Sequence, residues 1–263
     1  MRHSRHGIEL IVLSGLCAAA LITLPGNAAR ADRRAFPYTY GYMTLPKGGF
    51  EIEHYLDAKI ARFDNPDTAD EEDDVGVDWR HQVELEYGIT DRLDFGFYNV
   101  FEQKEHGDFK YKGVKLRSRY RFGDPGAWIV DPAVYFEFIV YRDTIKLEEM
   151  LIVAKHIGKL ELAANIKLEQ GWPIEGEDEP FVFEIVPSVG VGYHFTPWLA
   201  VGVEYVGKVE IEGGEVSHAH YAGPSVSLTG KHFYWAVGVH PELGSSSGSR
   251  LRFQARSLFG VML

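Results

Sequence analysis

Val114-Lys115-Leu116-Arg117-Ser118-Arg119-Tyr120-Arg121-Phe122 decides the fold class. Taken in twos, Val114, Leu116, Tyr120 and Phe122 fall on one side, and Lys115, Arg117, Arg119 and Arg121 on the other. Side chains alternate across a β-strand, so the stretch has one apolar face and one cationic face. Helical spacing would wind the same cations around the axis.

The same period recurs in both directions from this stretch. Phe50, Ile52, His54, Leu56, Ala58 and Ile60 oppose Glu51, Glu53, Tyr55, Asp57 and Lys59. Val77, Trp79, Val83, Leu85 and Tyr87 oppose Arg80, Gln82, Glu84 and Glu86. Leu160, Leu162, Ala164, Ile166 and Leu168 oppose Glu161, Asn165, Lys167 and Glu169. The chain ends on Leu251, Phe253, Ala255, Phe259, Val261 and Leu263 against Arg252, Gln254 and Arg256. Twelve such runs are predicted, at 50–63, 76–88, 92–102, 110–122, 132–142, 146–156, 159–169, 181–194, 198–208, 217–229, 232–241 and 249–263. The sixth and tenth leave open which face is which. No run after residue 31 has the length of a spanning helix, but a transmembrane strand needs only about 9–11 residues that alternate between lipid and lumen. The predicted fold is all-β: a single antiparallel up-and-down transmembrane barrel of about 12 strands over residues 50–263.

The links between runs support that topology. Odd-numbered links read as long and acidic: Asp64–Asp74, Lys104–Asp108, Gly171–Pro180, Glu210–Glu215 and Gly244–Ser249, with a short exception near Asp143. Even-numbered links read as tight at Gly88–Asp91, Ile157–Lys159, Phe195–Pro197 and Thr229–Lys231, with a longer one between Gly123 and Asp131. Short turns at one end and long loops at the other are the pattern of outer-membrane barrels, the short ones being periplasmic. Tyr87, Tyr120, Phe122, Trp128, Tyr193, Phe195 and Trp198 lie by the short turns, where rings suit a membrane–water boundary.

The N-terminus sets the expected compartment. Arg2 and Arg5 precede an apolar run from Ile8 to Leu24, and Ala29-Arg30-Ala31 follows. This is the layout of a secretory signal peptide, with cleavage expected after Ala31. Residues 32–49 then form a periplasmic segment ahead of the barrel. Cys17, the one cysteine, lies in the leader, and Leu16 before it argues against lipidation. The mature chain therefore offers no disulfide, thiolate nucleophile or cysteine metal ligand. The full chain has 27 basic and 38 acidic residues; losing Arg2, Arg5, Arg30 and Glu9 leaves 24 and 37, a formal −13. Such a balance argues against nucleic acid as a partner. The expected location is the outer membrane of a Gram-negative bacterium. The expected partners are its lipid and lipopolysaccharide, the barrel-assembly machinery and a small polar solute.

Tyr87-Gly88-Ile89-Thr90-Asp91-Arg92-Leu93-Asp94-Phe95-Gly96 resembles the strand–turn–strand signature of Gram-negative outer-membrane β-barrel proteins of the transporter and channel type. Tyr193-His194-Phe195-Thr196-Pro197-Trp198-Leu199-Ala200-Val201-Gly202 looks like a second copy. Leu45–Glu53 and Gly223-Pro224-Ser225 with the later Trp235 are similar to that group too. The resemblance covers the whole mature chain. It implies the fold and a transport-type role, in families largely without assigned substrates. One departure is the C-terminus, Leu263, where such barrels usually carry Phe or Trp.

The candidate site is the lumen. Lys115, Arg117, Arg119 and Arg121 form a basic ladder on one strand. Glu84, Glu86, Asp94 and Glu137 stand on neighbouring strands, and Glu51, Glu53, Glu161, Glu169, Glu184 and Glu204 farther round. Two arrangements fit: a mutually neutralising network that stiffens the barrel, or an electrostatic track for a charged solute. The expected function is a passive channel for a small polar or charged solute. The alternatives are a closed structural barrel with acidic surface loops, an outer-membrane lipid hydrolase, and a soluble lipocalin-like barrel with apolar residues inward. His218, His220, Ser225 and Glu215 are the nearest thing to a hydrolase set, but His220 and Ser225 fall on opposite faces by parity. The acidic run Asp64–Asp74 matches no calcium loop and reads as solvated. No enzyme activity, cofactor or metal is expected.

Overall fold

The computed structural model describes residues 34–63, 74–105, 107–174, 180–246 and 251–263. The expected leader Met1–Ala31 and nearly all of the acidic link Asp64–Asp74 lie outside these residues.

Among the described residues twelve strands follow one another: β1 (Phe50–Phe63), β2 (Asp74–Thr90), β3 (Leu93–Gln103), β4 (Phe109–Arg121), β5 (Asp131–Tyr141), β6 (Thr144–Ile157), β7 (Leu160–Pro173), β8 (Val182–Thr196), β9 (Leu199–Glu212), β10 (Glu215–Thr229), β11 (Phe233–Ser245) and β12 (Leu251–Met262). Each pairs antiparallel with its sequence neighbours, and β12 returns to β1 to close the barrel. Glu51 faces Met262 and Ala58 faces Ala255 across that seam, and the Leu263 N–H donates to the Phe50 carbonyl at 2.9 Å. Closure leaves no unpaired edge, the condition for a sheet in hydrocarbon.

The twelve predicted runs map one to one onto the twelve strands. Most strands reach farther toward the odd-numbered links than expected. The link expected over Glu210–Glu215 is instead a two-residue turn, because Glu212 still pairs with Glu215. Gly213 and Gly214 both take positive φ, 57° and 89°. A type I′ hairpin turn needs that conformation at both central positions, and only glycine adopts it freely. The odd-numbered end is thus less uniformly long-looped than its composition suggests.

β5 shows how the surfaces sort. Ala133, Tyr135, Glu137 and Ile139 are buried, while Phe136, Phe138 and Val140 are exposed. Around the barrel Leu85, Leu116, Leu151, Ile166, Val203 and Val226 are exposed in the same way, while Glu51, Glu84, Glu86, Arg117 and Arg119 are buried inside. Water-soluble proteins rarely expose apolar surface on this scale. The lipocalin-like alternative is overturned, since the inward face is the charged one. Tyr87, Trp128, Tyr193, Phe195 and Trp198 are exposed at the short-turn end, and Phe109, Tyr111, Trp172 and Phe181 at the other. The apolar belt is therefore flanked by aromatic rings at both ends.

Gly113 keeps the cationic face of β4 inward. A bulge opposite Val100 and Phe101 interrupts the register there. Gly113 sits at φ 153°, and a Cβ on it would lie 2.1 Å from the Val140 carbonyl. The extra residue resets the parity, so that Tyr111 and Leu116 both point outward although one is odd and the other even.

Candidate functional site: a plugged, charge-lined lumen

Residues 34–49, expected as a periplasmic segment ahead of the barrel, precede β1. The described part runs inside the barrel. Starting near β10, where the Ser227 hydroxyl donates to the Arg34 carbonyl at 2.6 Å, it follows the inner wall around the short-turn end. The N–H groups of Tyr38 and Thr39 donate to one Glu204 oxygen on β9, at 3.0 and 2.7 Å. Tyr40 exchanges two hydrogen bonds with the Asn165 amide on β7, at 2.7 and 3.0 Å. The Leu45 N–H donates to Asp94 on β3 at 2.9 Å. Gly48 and Gly49 then pair with Gly88 of β2, and β1 begins.

The wall is shaped to receive this plug. Phe36 is buried against Gly190, Gly192 and Gly202, where an added Cβ would come within 2.9 to 3.1 Å of its ring. Ala133, Met150, Ile152, Ala154, Ala163 and Ala200 form an inward apolar patch that Ala35, Phe36 and Tyr42 cover. The patch explains why the facing of the sixth run was ambiguous. Met150, Ile152 and Ala154 are apolar yet point inward, because protein and not water lies against them. Arg34 lies over the Tyr40 ring at 4.0 Å and donates to the Tyr55 hydroxyl at 3.0 Å.

The four residues of the ladder separate into three environments. Arg117 donates to Glu84 at 2.7 Å and also bridges Glu86 and Asp94. Arg119 reaches Glu86 at 3.1 Å and Asp94 at 2.9 Å. These five groups form a solid ionic block, each side chain at most 2% exposed. Arg121 serves the plug and a turn: it donates to the Thr44 hydroxyl at 3.1 Å and to the Asp91 carbonyl at 2.8 Å. Lys115 stands apart, paired with Glu137 at 2.8 Å beside a cavity.

The other acidic positions are equally divided. Glu53 accepts from the hydroxyls of Tyr55, at 2.5 Å, and Tyr234. Glu51 is buried beside Gly260, where an added Cβ would lie 2.6 Å from its Oε1. Glu204 anchors the plug. Glu169 takes Lys146 at 2.6 Å, Glu184 takes Lys208 at 3.2 Å, and Glu161 meets His194 at 2.7 Å. Aspartates carry as much of the network as glutamates in places. Asp94, expected among the acids beside the ladder, lies in the block. Asp57, with Arg256 at 2.6 Å, was not singled out by the sequence, although the alternation on β1 put it on the polar face.

Beyond the plug, mid-barrel, lies a cavity of about 150 Å³. The plug's Tyr38 and Tyr40 line it from one side, and Lys115, Glu137, Glu148 and Lys167 from the wall. Toward the end that carries the Gly213 turn, the inward charges emerge into water. The Lys146 side chain is 24% exposed, Arg80 36% and Lys208 40%. Each still has an acid: Lys146 meets Glu169 at 2.6 Å, Arg80 meets Glu102 at 2.5 Å and Lys208 meets Glu184 at 3.2 Å. At the rim, in the link between β5 and β6, the Asp143 carboxyl is held below the usual range. Slight desolvation raises it, and the Lys112 ammonium at 2.6 Å outweighs that.

The hydrolase set is not assembled. His220 bonds the Tyr205 hydroxyl at 2.7 Å on the outer face, while Ser225 is buried on the inner one.

An apolar, ring-bordered exterior around a charged interior defines a transmembrane β-barrel protein. More narrowly, the fold is that of the outer-membrane channels. The chain is similar to the crystal structure of an outer membrane channel from Pseudomonas putida, with TM-score 0.67 at 12% identity, covering 84% of this chain and 98% of that one. It is also similar to the KdgM porin, with TM-score 0.50 at 9% identity, covering 80% and 98%. No protein-family model and no curated protein matches the sequence.

Proposed function

We propose that this protein is a passive, non-enzymatic channel of the Gram-negative outer membrane for a small polar or charged solute, held closed here by residues 34–49. The gradient of burial among the inward charges carries the reading. The ionic block around Arg117 is sealed, whereas the pairs at Lys146, Arg80 and Lys208 meet water. A barrel that only scaffolds loops has no use for charge pairs open to water at one mouth and a charge-lined cavity beyond the plug. The plug is held largely by side-chain hydrogen bonds and by Phe36 rather than as a thirteenth strand, so it is able to move without opening the sheet. Placement in lipid and lipopolysaccharide, insertion by the assembly machinery and release of a leader after Ala31 belong to the same proposal.

A closed structural barrel is the second reading, favoured by the density of the block around Arg117. Liposome swelling separates the two. The channel reading expects vesicles carrying the protein to swell in small charged or polar solutes at a rate that falls with solute size. Swelling no faster than protein-free vesicles for every solute would leave the structural reading.

A further inference from the structure

His156, Glu161 and His194 are far apart in the sequence and meet at the short-turn mouth of the barrel. The β6–β7 hairpin, turning at Gly158 and Lys159, sets His156 directly across from Glu161. β8 adds His194, whose N–H bonds the Lys159 carbonyl at 2.8 Å. By strand parity all three point inward. Glu161 Oε2 lies 2.7 Å from His194 Nε2 and 3.7 Å from His156 Nε2, and the three ligand atoms all fall within 4.8 Å of one another.

We propose that this trio binds a divalent transition-metal ion of the zinc type. Two imidazole nitrogens and one carboxylate oxygen are the donor set that zinc takes where a fourth position is left to water. With metal–ligand bonds of about 2.0–2.1 Å, tetrahedral ligands sit roughly 3.3 Å apart, and the two measured separations bracket that value. The carboxylate is buried and the imidazoles are partly open to water, with side-chain exposures of 6%, 42% and 29% for Glu161, His156 and His194. An ion therefore has a way in, and the carboxylate is positioned by the fold. Calcium and magnesium fit poorly, since they prefer all-oxygen sites.

The site touches the plug. The Tyr42 ring is 6.4 Å from that of His156, and Gly41 lies beside Glu161, its Cβ position 3.8 Å from the other carboxylate oxygen. A bound ion would fix the wall on which Gly41 and Tyr42 rest. Among the described residues the other histidine pairs do not share this geometry: His54 with His81, at 3.2 Å, and His218 with His220 lie on the outer face.

The test uses the untagged mature protein in detergent, stripped with chelator and titrated with zinc chloride in a calorimeter at about pH 7.5. One equivalent should bind. Cobalt(II) should give the intense visible bands of a four-coordinate ion. His156→Ala and His194→Ala, each at a partly exposed position, should weaken zinc binding at least about tenfold, whereas His54→Ala and His218→Ala should leave it unchanged. Metal ligation requires neutral imidazoles, so affinity should fall on acidification to about pH 5.5. Absence of a saturable equivalent, or binding lost equally with His54→Ala and His218→Ala, would overturn the proposal and leave a histidine–carboxylate hydrogen bond in its place. The outcome does not depend on whether the barrel conducts.

Discussion

Arg117 shows what a single inward charge does in this barrel. It has three carboxylate partners, Glu84, Glu86 and Asp94, and is shut off from water. Removing one partner of a buried ionic cluster leaves the others uncompensated, at a cost of about 3–5 kcal/mol. Arg117→Gln should therefore lower resistance to denaturant in lipid vesicles by that order, while Lys146→Gln, at a wetter pair, should cost under about 1 kcal/mol. Equal losses for both would mean that the block is not sealed. The polar faces of both strands were legible because alternation alone assigns them. Which cation meets which acid was not, because that depends on strand order and register around the closed barrel. Of the ladder, Arg117 and Arg119 lie in the neutralising block and Lys115 stands at the cavity.

At the scale of elements, the strands were readable and the plug was not. Period two runs through the strands and is reset at bulges, of which the one at Gly113 is an example. Ala35 to Leu45 has no such period; its shape comes from what it leans on. Clues lay elsewhere in the chain, in Gly190, Gly192 and Gly202 on inward positions and in the inward Met150, Ile152 and Ala154, which water alone would not favour. Gly192→Val tests the seat. A Cβ there would lie 3.0 Å from Phe36, so the larger side chain should displace the ring while leaving the strand pairing of β8 intact. Limited proteolysis of folded protein in detergent should then cut near Phe36 in the variant and not in the wild type. Equal protection of both chains would mean that Phe36 does not hold the plug.

For the molecule as a whole, what the plug seals depends on which end faces outward. The even-numbered turns and both ends of the barrel sheet lie together, with Phe50 paired to Tyr87 and the Leu263 N–H bonded to Phe50. That end should face the periplasm. Cys17 is the one cysteine of the sequence and lies in the expected leader, so a Cys17→Ser background lets single thiols report topology. Glu215→Cys, beside the Gly213 turn, should react with an impermeant maleimide on intact cells, and Lys231→Cys should react only after lysis. The reverse pattern would invert the barrel and place the plug at the outer mouth. The central claim, a channel stoppered from within, is tested most directly by single-channel recording in a planar bilayer, comparing wild type with Phe36→Ala. Brief, infrequent openings for the wild type, and a several-fold greater open fraction at the same unit conductance for the variant, are the predicted result. Silence from both proteins at every voltage, with the barrel shown to be folded and inserted, would contradict it.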